Sequence, residues 1–188
     1  MQNNLRQGSL KWHEMRKNHL GASDAPVVMG MSPWKKPIDL WREKVGLHVD
    51  RKETGPMLYG KQEESNALLS FNKELKANFR PVVKFHPSIH YMMASLDGFD
   101  EIRNEIMEIK CPGKKDHELA SKGEVPKKYI AQLQHQIVVC CLDWIYYCSY
   151  SRESQHYFKV PRDQEFIDIM LEKEAEFWDC VVNFREPN

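Results

Sequence analysis

The chain has no net charge: 27 lysines and arginines balance 27 aspartates and glutamates over 188 residues. No global basic field therefore advertises a nucleic-acid partner, and any such binding has to come from locally clustered charge. Cysteine is sparse. Five residues, an odd number, with no Cys-x-x-Cys spacing, argue against both a disulfide framework and a zinc knuckle, and so predict a reduced intracellular setting. No apolar run approaches the ~18 residues of a membrane span, and the first twenty residues, rich in Asn, Gln, Lys, Arg and His, hold no signal-peptide core. Repeats, low-complexity tracts and linkers are also missing, which leaves one domain over residues 1–188.

What is present is unevenly arranged. Six lysines lie between Lys110 and Lys128 against Asp116, Glu118 and Glu124, whereas Arg162 to Asp179 holds seven acids against Arg162 and Lys173. The N-terminal third reads as short helices at Ser9 to Lys17, from Ser23 with that serine as cap, and at Pro37 to Val45. A longer helix fits Gly55 to Leu75, with Leu58, Leu68, Leu69 and Phe71 as buried candidates. From about Pro81 to Cys111 the residues turn β-branched and aromatic, punctuated by Pro87, Gly98 and Asn104, which predicts three antiparallel strands. A helix from Pro126 to Leu142, strands at Trp144 to Ser151 and Gln155 to Val160, and a final helix with Ile167, Leu171, Ala175, Trp178 and Val182 as its apolar stripe complete the order. This order predicts an α/β (α+β) domain with a central mixed sheet flanked by helices.

The chemistry concentrates in Ser95-Leu96-Asp97-Gly98 and Met107-Glu108-Ile109-Lys110-Cys111-Pro112. A hairpin centred between Ile102 and Arg103 sets Asp97 opposite Glu108, with Cβ atoms about 4.5 to 5.5 Å apart, and like charges at that distance repel unless a cation lies between them. Lys110 falls on the same strand face as Glu108, and Ser95 pairs with Lys110 in the same register. Two carboxylates suit Mg²⁺, which retains waters and takes few protein ligands. The Ile109 carbonyl is a reasonable further ligand. Two such ions about 3.5 to 4 Å apart, with Mn²⁺ as a substitute, serve in-line phosphodiester hydrolysis. Lys110, with an ordinary pKa near 10.4, is expected to orient water and offset phosphate charge.

The Asp-(Glu)-x-Lys arrangement resembles the PD-(D/E)xK nuclease superfamily, whose core is that of restriction endonucleases. Further motifs narrow the resemblance to the lambda-exonuclease, or YqaJ-type viral recombinase, family: Trp12-His13-Glu14-Met15-Arg16 with Gly21-Ala22-Ser23, then Gly60-Lys61-Gln62-Glu63-Glu64, and Tyr129-Ile130-Ala131-Gln132. The resemblance implies a 5′-to-3′ exonuclease on linear double-stranded DNA that releases mononucleotides and leaves 3′ single strands. It also implies a ring-shaped homotrimer, a single-strand annealing partner and a cytoplasmic location in a bacterial or phage-infected cell. Carried over by motif, Asp97 and Glu108 are metal ligands, Lys110 is catalytic and Glu64 is a further acid. Arg16, Ser23, Ser95 and Lys115 handle DNA phosphates, and Gln132 lines the site. Of the adjacent Glu63 and Glu64, Glu64 is expected to point inward.

Other residues are expected to be plain. Cys140, Cys141, Cys148 and Cys180 read as core packing rather than ligands, and Trp34, Trp41, Trp144 and Trp178 as core or subunit contacts rather than base-stacking platforms. Met57 is a candidate wedge that splits the terminal base pair. The alternatives to the exonuclease are a sequence- or structure-specific endonuclease with the same metal site, or a non-catalytic DNA-end-binding protein.

Overall fold

The strand-forming stretch from Arg80 to Lys110 builds the centre of the molecule. In the computed structural model, which describes residue 5, residues 7–47 and residues 55–187, with backbone only for 55–61, β2 (Arg80–Phe85), β3 (Met92–Asp100) and β4 (Glu105–Lys110) run antiparallel as the sequence predicts. The turn between β3 and β4 is set by Asp100, whose Oδ1 accepts the Ile102 and Arg103 N–H groups and whose Oδ2 accepts that of Asn78. Asn104 completes it in the left-handed region at φ +52°. The strands β5 (Trp144–Tyr150) and β6 (Gln155–Pro161) extend the sheet beyond β4, with β5 parallel to β4. A two-residue strand, β1 (Leu20–Gly21), pairs in parallel with the start of β3 and makes the sheet six-stranded and mixed. That strand is too short to leave a periodicity in the sequence.

The pairing has an opening in it. Met93 pairs with both Gly21 and Phe85, and Phe99 with both Arg80 and Ile106, so β1 and β4 share the edge of β3 opposite β2. β1 covers Met92 and Met93, and β4 covers Gly98 to Asp100. Between them the edge of β3 from Ala94 to Asp97 carries no strand among the described residues. Here the β2–β3 register slips between Arg80↔Phe99 and Val82↔Leu96, three residues of β3 against two of β2. That extra residue is a β-bulge, which breaks the alternation of side chains and re-aims the one it displaces. Gly98 sits inside it: a Cβ there would lie 2.5 Å from Met107 Cγ and 2.9 Å from Phe79 Cβ.

Helices cover both faces. The α6 helix (Lys127–Cys140) packs Ala131, Leu133, Ile137 and Val138 against Met92, Ala94, Leu96, Ile106 and Tyr147. On the other side α4 (Gly55–Leu75) lays Ala67 and Phe71 against Phe79, Met107, Ile109 and Cys148. Phe71 is buried as expected, but Leu69 is exposed and Leu68 only half-buried, and the side chains of Leu58 and Met57 lie outside the described residues. The last helix, α7 (Gln164–Val182), buries Ile167, Met170, Glu174, Phe177 and Cys180. Of the expected stripe only Ile167 is buried: Leu171 and Trp178 are half-buried, and Ala175 and Val182 are exposed. The reason is Glu174, an acid on the buried face, whose Oε1 lies 2.8 Å from His135 Nδ1 while His135 Nε2 donates to the Met93 carbonyl.

The N-terminal segment differs in detail from its sequence reading. α1 (Leu10–Lys17) is capped by Ser9, which accepts the Trp12 N–H, and α3 (Pro37–Lys44) opens on Pro37. Ser23, expected to cap a helix, instead lies inside a 3₁₀ turn (Ala22–Asp24) that leads into the single-turn α2 (Ala25–Val28), and Asp24 satisfies the local N–H of Gly21. Also unforeseen is α5 (Lys114–Ser121), which packs on β5 and β6. It buries only Ala120 fully, too little apolar pattern to mark a helix in the sequence. Cys148 and Cys180 are buried as expected, Cys140 is half-buried and Cys141 is exposed.

Candidate active site

The acids converge where the β3 edge is open. The β3–β4 ladder ends at Gly98↔Met107, one position short of Asp97 and Glu108, and β4 continues paired with β5 alone. At this fork Asp97 Oδ2 accepts the Ile109 N–H at 2.8 Å. The expected pairing of Ser95 with Lys110 is therefore not made: Ser95 pairs with Val83 of β2 and Lys110 with Ser149 of β5. The bulge and the parting of the strands replace the plain hairpin.

Glu108 is buried and held from three sides. Its Oε1 accepts from Lys110 Nζ at 2.6 Å and Gln132 Nε2 at 2.5 Å, and its Oε2 accepts from Gln136 Nε2 at 2.5 Å. Lys110 also reaches Gln132 Oε1 at 3.2 Å and lies 5.0 Å from the Tyr129 ring centroid. Gln132 and Gln136 stand one helical turn apart on α6, so one face of that helix grips one carboxylate. Gln136 is fully buried and its Oε1 has no hydrogen-bond partner among the described residues. It is a site contact that the sequence motifs do not include, although its i, i+4 spacing from Gln132 was the available signal.

Negative charge dominates the fork. Burial first, and then the charges of Glu108 and Glu64, push the Asp97 carboxyl well above the ordinary aspartate range, against the pull of Lys110 and the Ile109 N–H. The neighbouring Cys111 thiol responds to the same field: burial, then Glu64, Glu63 and Asp97, raise it to about 11. Lys110 is raised above an ordinary lysine because Glu108 and Asp97 outweigh the burial that would lower it. Glu63 and Glu64 divide their roles differently from expectation. Glu63 is the buried one, bound by Arg152 Nη2 at 2.6 Å, while the half-buried Glu64 still acts on Asp97. Adjacent helical residues are about 100° apart, and a helix lying flat on a sheet can turn both toward it.

A second cluster flanks the fork. Arg16 Nη2 donates to Ser23 Oγ and to Asp24 Oδ1, both at 3.0 Å, and its guanidinium lies 5.2 Å from the Trp12 ring centroid. Trp12 Nε1 in turn donates to Ser95 Oγ at 2.8 Å. Arg16, Ser23 and Ser95 are thus linked through Trp12, with Ser95 two residues before Asp97 on β3 and the Arg16 side chain 28% exposed. Lys115 is exposed at the start of α5 and makes no ion pair among the described residues.

The residue that organises this cluster is Asp24, which drew no attention in the sequence. Its Oδ2 accepts from Lys44 Nζ at 2.7 Å and from Gly21 N at 3.0 Å, and Lys44 also donates to the carbonyls of Arg16 and His19, both at 2.6 Å. Burial alone would raise the Asp24 carboxyl, but Lys44, Arg16 and the Gly21 N–H lower it to about 2. An acid held below its unfolded value of about 3.9 contributes stability that is present above pH 4 and lost as the pH falls toward 2, about 2 kcal/mol here. Asp24→Asn strands the buried Lys44 ammonium and should cost about 3 kcal/mol. Urea denaturation of both proteins at pH 7 and pH 3 measures it: the variant is weaker at pH 7, and the gap narrows in acid. A gap that is unchanged at pH 3 removes the electrostatic account.

In fold, the chain is similar to solved exonucleases. LHK-Exo, an alkaline exonuclease from Laribacter hongkongensis, superposes with a TM-score of 0.80 at 22% identity, covering 93% of each chain, and its complex with dAMP gives 0.80 at 21%. A phage related exonuclease from Haemophilus somnus 129PT matches with a TM-score of 0.65 at 13% identity, over 90% of this chain and 98% of that one. These likenesses define an alkaline-exonuclease type of α/β fold. The chain belongs to the YqaJ-like viral recombinase domain family, whose pattern matches residues 11–142. The uncharacterized protein YqaJ of Bacillus subtilis (strain 168) is 26% identical over 175 residues, and the chain, 90% covered, spans 55% of that protein's length.

Proposed function

We propose that the chain is a divalent-metal-dependent nuclease that digests linear double-stranded DNA from its 5′ ends, releases mononucleotides and leaves 3′ single strands for annealing. The observation that carries this is the fork of β3 and β4, where Asp97, Glu108, Lys110 and Gln132 converge and where β3 also carries Ser95, joined through Trp12 to Arg16 and Ser23. The family and the fold support it, since the similar LHK-Exo is an exonuclease that has been seen with dAMP, a mononucleotide.

The donor chemistry fits Mg²⁺, or Mn²⁺ in its place. All the candidate ligands are hard oxygens: the carboxylates of Asp97 and Glu108, the Ile109 carbonyl and, farther off, Glu64. Asp97 Oδ1 takes no hydrogen bond among the described residues, and the field that raises Cys111 favours a cation. No three His, Cys, Asp or Glu side chains among the described residues already form a metal cluster, and Glu108 is taken up by Lys110 and the two glutamines. Loading therefore requires Glu108 to share its oxygens. When bound, one or two ions would supply a nucleophilic water and neutralise phosphoryl charge. Lys110 brings a fixed cation to the phosphate oxygens, and Gln132 holds both Lys110 and Glu108 in place. Arg16 and Ser23 offer donors to a terminal 5′ phosphate, with Lys115 adding charge from α5. A homotrimeric ring around DNA and a single-strand annealing partner complete the proposal, with action in the cytoplasm of a bacterial or phage-infected cell. No helix among the described residues is long and apolar enough to cross a membrane.

The test is one time course with linear duplexes bearing 5′-phosphate or 5′-hydroxyl ends and with covalently closed circular duplex, each with Mg²⁺, with Mn²⁺ and with EDTA. Mononucleotides should appear from linear DNA only, in either metal and not in EDTA. Cleavage of the circle would make the protein an endonuclease, and binding of linear DNA without nucleotide release would make it an end-binding scaffold.

A further inference from the structure

An aromatic and basic ladder leads away from the fork to the surface. Lys110 Nζ lies 5.0 Å from the Tyr129 ring centroid, Lys128 Nζ lies 5.1 Å from the same ring, and Lys128 Nζ also lies 5.0 Å from the Trp34 ring centroid. Lys110 and Trp34 are thus separated by three contacts of about 5 Å each. At ~3.4 Å of stacked rise per base, that span is a few nucleotides. Trp34 is expected from its residue type to be a core or subunit contact, yet 71% of it is exposed. Exposure alone is ordinary for a single apolar side chain; what sets Trp34 apart is the ammonium of Lys128 over its ring.

The loop that presents it is fixed rather than slack. Ser32 Oγ accepts the Trp34 N–H at 3.3 Å, Lys35 pairs with Glu43 at 2.8 Å, and Asp39 accepts the Lys36 N–H at 3.3 Å. Lys128 is fixed too, through Asp116 at 2.6 Å. One face of the ring therefore meets a positioned ammonium, and most of the rest is open. An open aromatic face backed by one ammonium matches an unpaired nucleobase with its phosphate: the base stacks and the phosphate meets the ammonium. An apolar protein surface would not favour the lysine.

We propose that Trp34 is a stacking platform for an unpaired base of the DNA strand that runs through the site, with Lys128 holding the adjoining phosphate. This rests on the nuclease reading above. It adds a preference that the metal site does not supply: forked or single-stranded ends bind more tightly than blunt duplex.

Fluorescence anisotropy in EDTA, with labelled single-stranded, forked and blunt oligonucleotides, tests it on the full chain. Trp34→Ala should weaken binding of the single-stranded and forked probes about tenfold, the loss expected when one base loses its aromatic partner, and leave blunt duplex unchanged. Trp34→Phe should restore most of the loss, and Lys128→Gln should flatten the salt dependence of the forked probe. Because Trp34 is largely exposed, folding should survive, and circular dichroism checks that. Equal binding by wild type and Trp34→Ala overturns the platform alone. So does a Trp34→Ala protein whose only change is in its oligomeric mass by light scattering, which would make Trp34 a contact between copies. A wild type that binds none of the probes removes the nuclease reading and the platform together.

Discussion

Lys110→Met should lower nucleotide release from linear DNA by about a thousand-fold while leaving duplex affinity within a few-fold of wild type. The size follows from removing one preorganised charge from a water-excluded site, where such groups are worth far more than in bulk solvent. The Lys110 side chain is only 21% exposed, contacts Glu108 at 2.6 Å and Gln132 at 3.2 Å, and has no role in the sheet beyond its backbone pairing with Ser149. Methionine nearly matches its length, and gives up the ammonium's contact with the Tyr129 ring. Glu108 retains its two amide donors, Gln132 and Gln136, so the carboxylate stays in place. Single-turnover digestion separates the chemical step from binding. A Lys110→Met enzyme that digests at the wild-type rate would remove lysine from the mechanism. A loss of affinity equal to the loss of rate would make it a DNA anchor.

The hairpin was legible in part: the register symmetric about Ile102 and Arg103 holds from Asp100↔Glu105 to Gly98↔Met107, stopping one pair short of Asp97 and Glu108, and Asn104 marks the turn. The sheet, the long helices and the strands after α6 followed from the same local rules. What escaped was set by contacts distant in sequence. The bulge at Asp97–Gly98 arises from the slip against β2, and β1 exists only because Leu20 and Gly21 meet Met92 and Met93 across 72 residues. Asp24 and Lys44 carry no motif, and their importance depends on a buried ion pair between a 3₁₀ turn and the end of α3. Glu174 misled the hydrophobic pattern for a related reason: an acid on a buried face is allowed only because His135, on another helix, meets it there. Trp34 lies outside the core, which leaves the core half of its expectation unmet, since residue type alone argues for burial and only packing shows that it faces out.

Asp97→Asn should abolish digestion, by a thousand-fold or more, and at the same time raise the melting temperature in EDTA by a few degrees. Asparagine keeps the shape and can still accept the Ile109 N–H through its Oδ1, so the fork survives the substitution. What changes is charge. Asp97 is buried, and its carboxyl is raised by burial and by Glu108 and Glu64, so the folded protein holds that proton more tightly than the unfolded chain does. The stability that this confers is present below about pH 4 and is lost as the pH rises through the raised value. At neutral pH the wild type without metal therefore carries a destabilising charge that asparagine lacks, a common exchange of stability for function at active sites. A divalent cation should relieve the same repulsion. Mg²⁺ is expected to raise the wild-type melting temperature, by ligand linkage, and to leave Asp97→Asn where it was in EDTA. Differential scanning calorimetry of both proteins, with Mg²⁺ and with EDTA, measures all four states. An Asp97→Asn protein that melts below wild type in EDTA and still gains from Mg²⁺ would make Asp97 a structural acceptor for β4 and place the cation elsewhere.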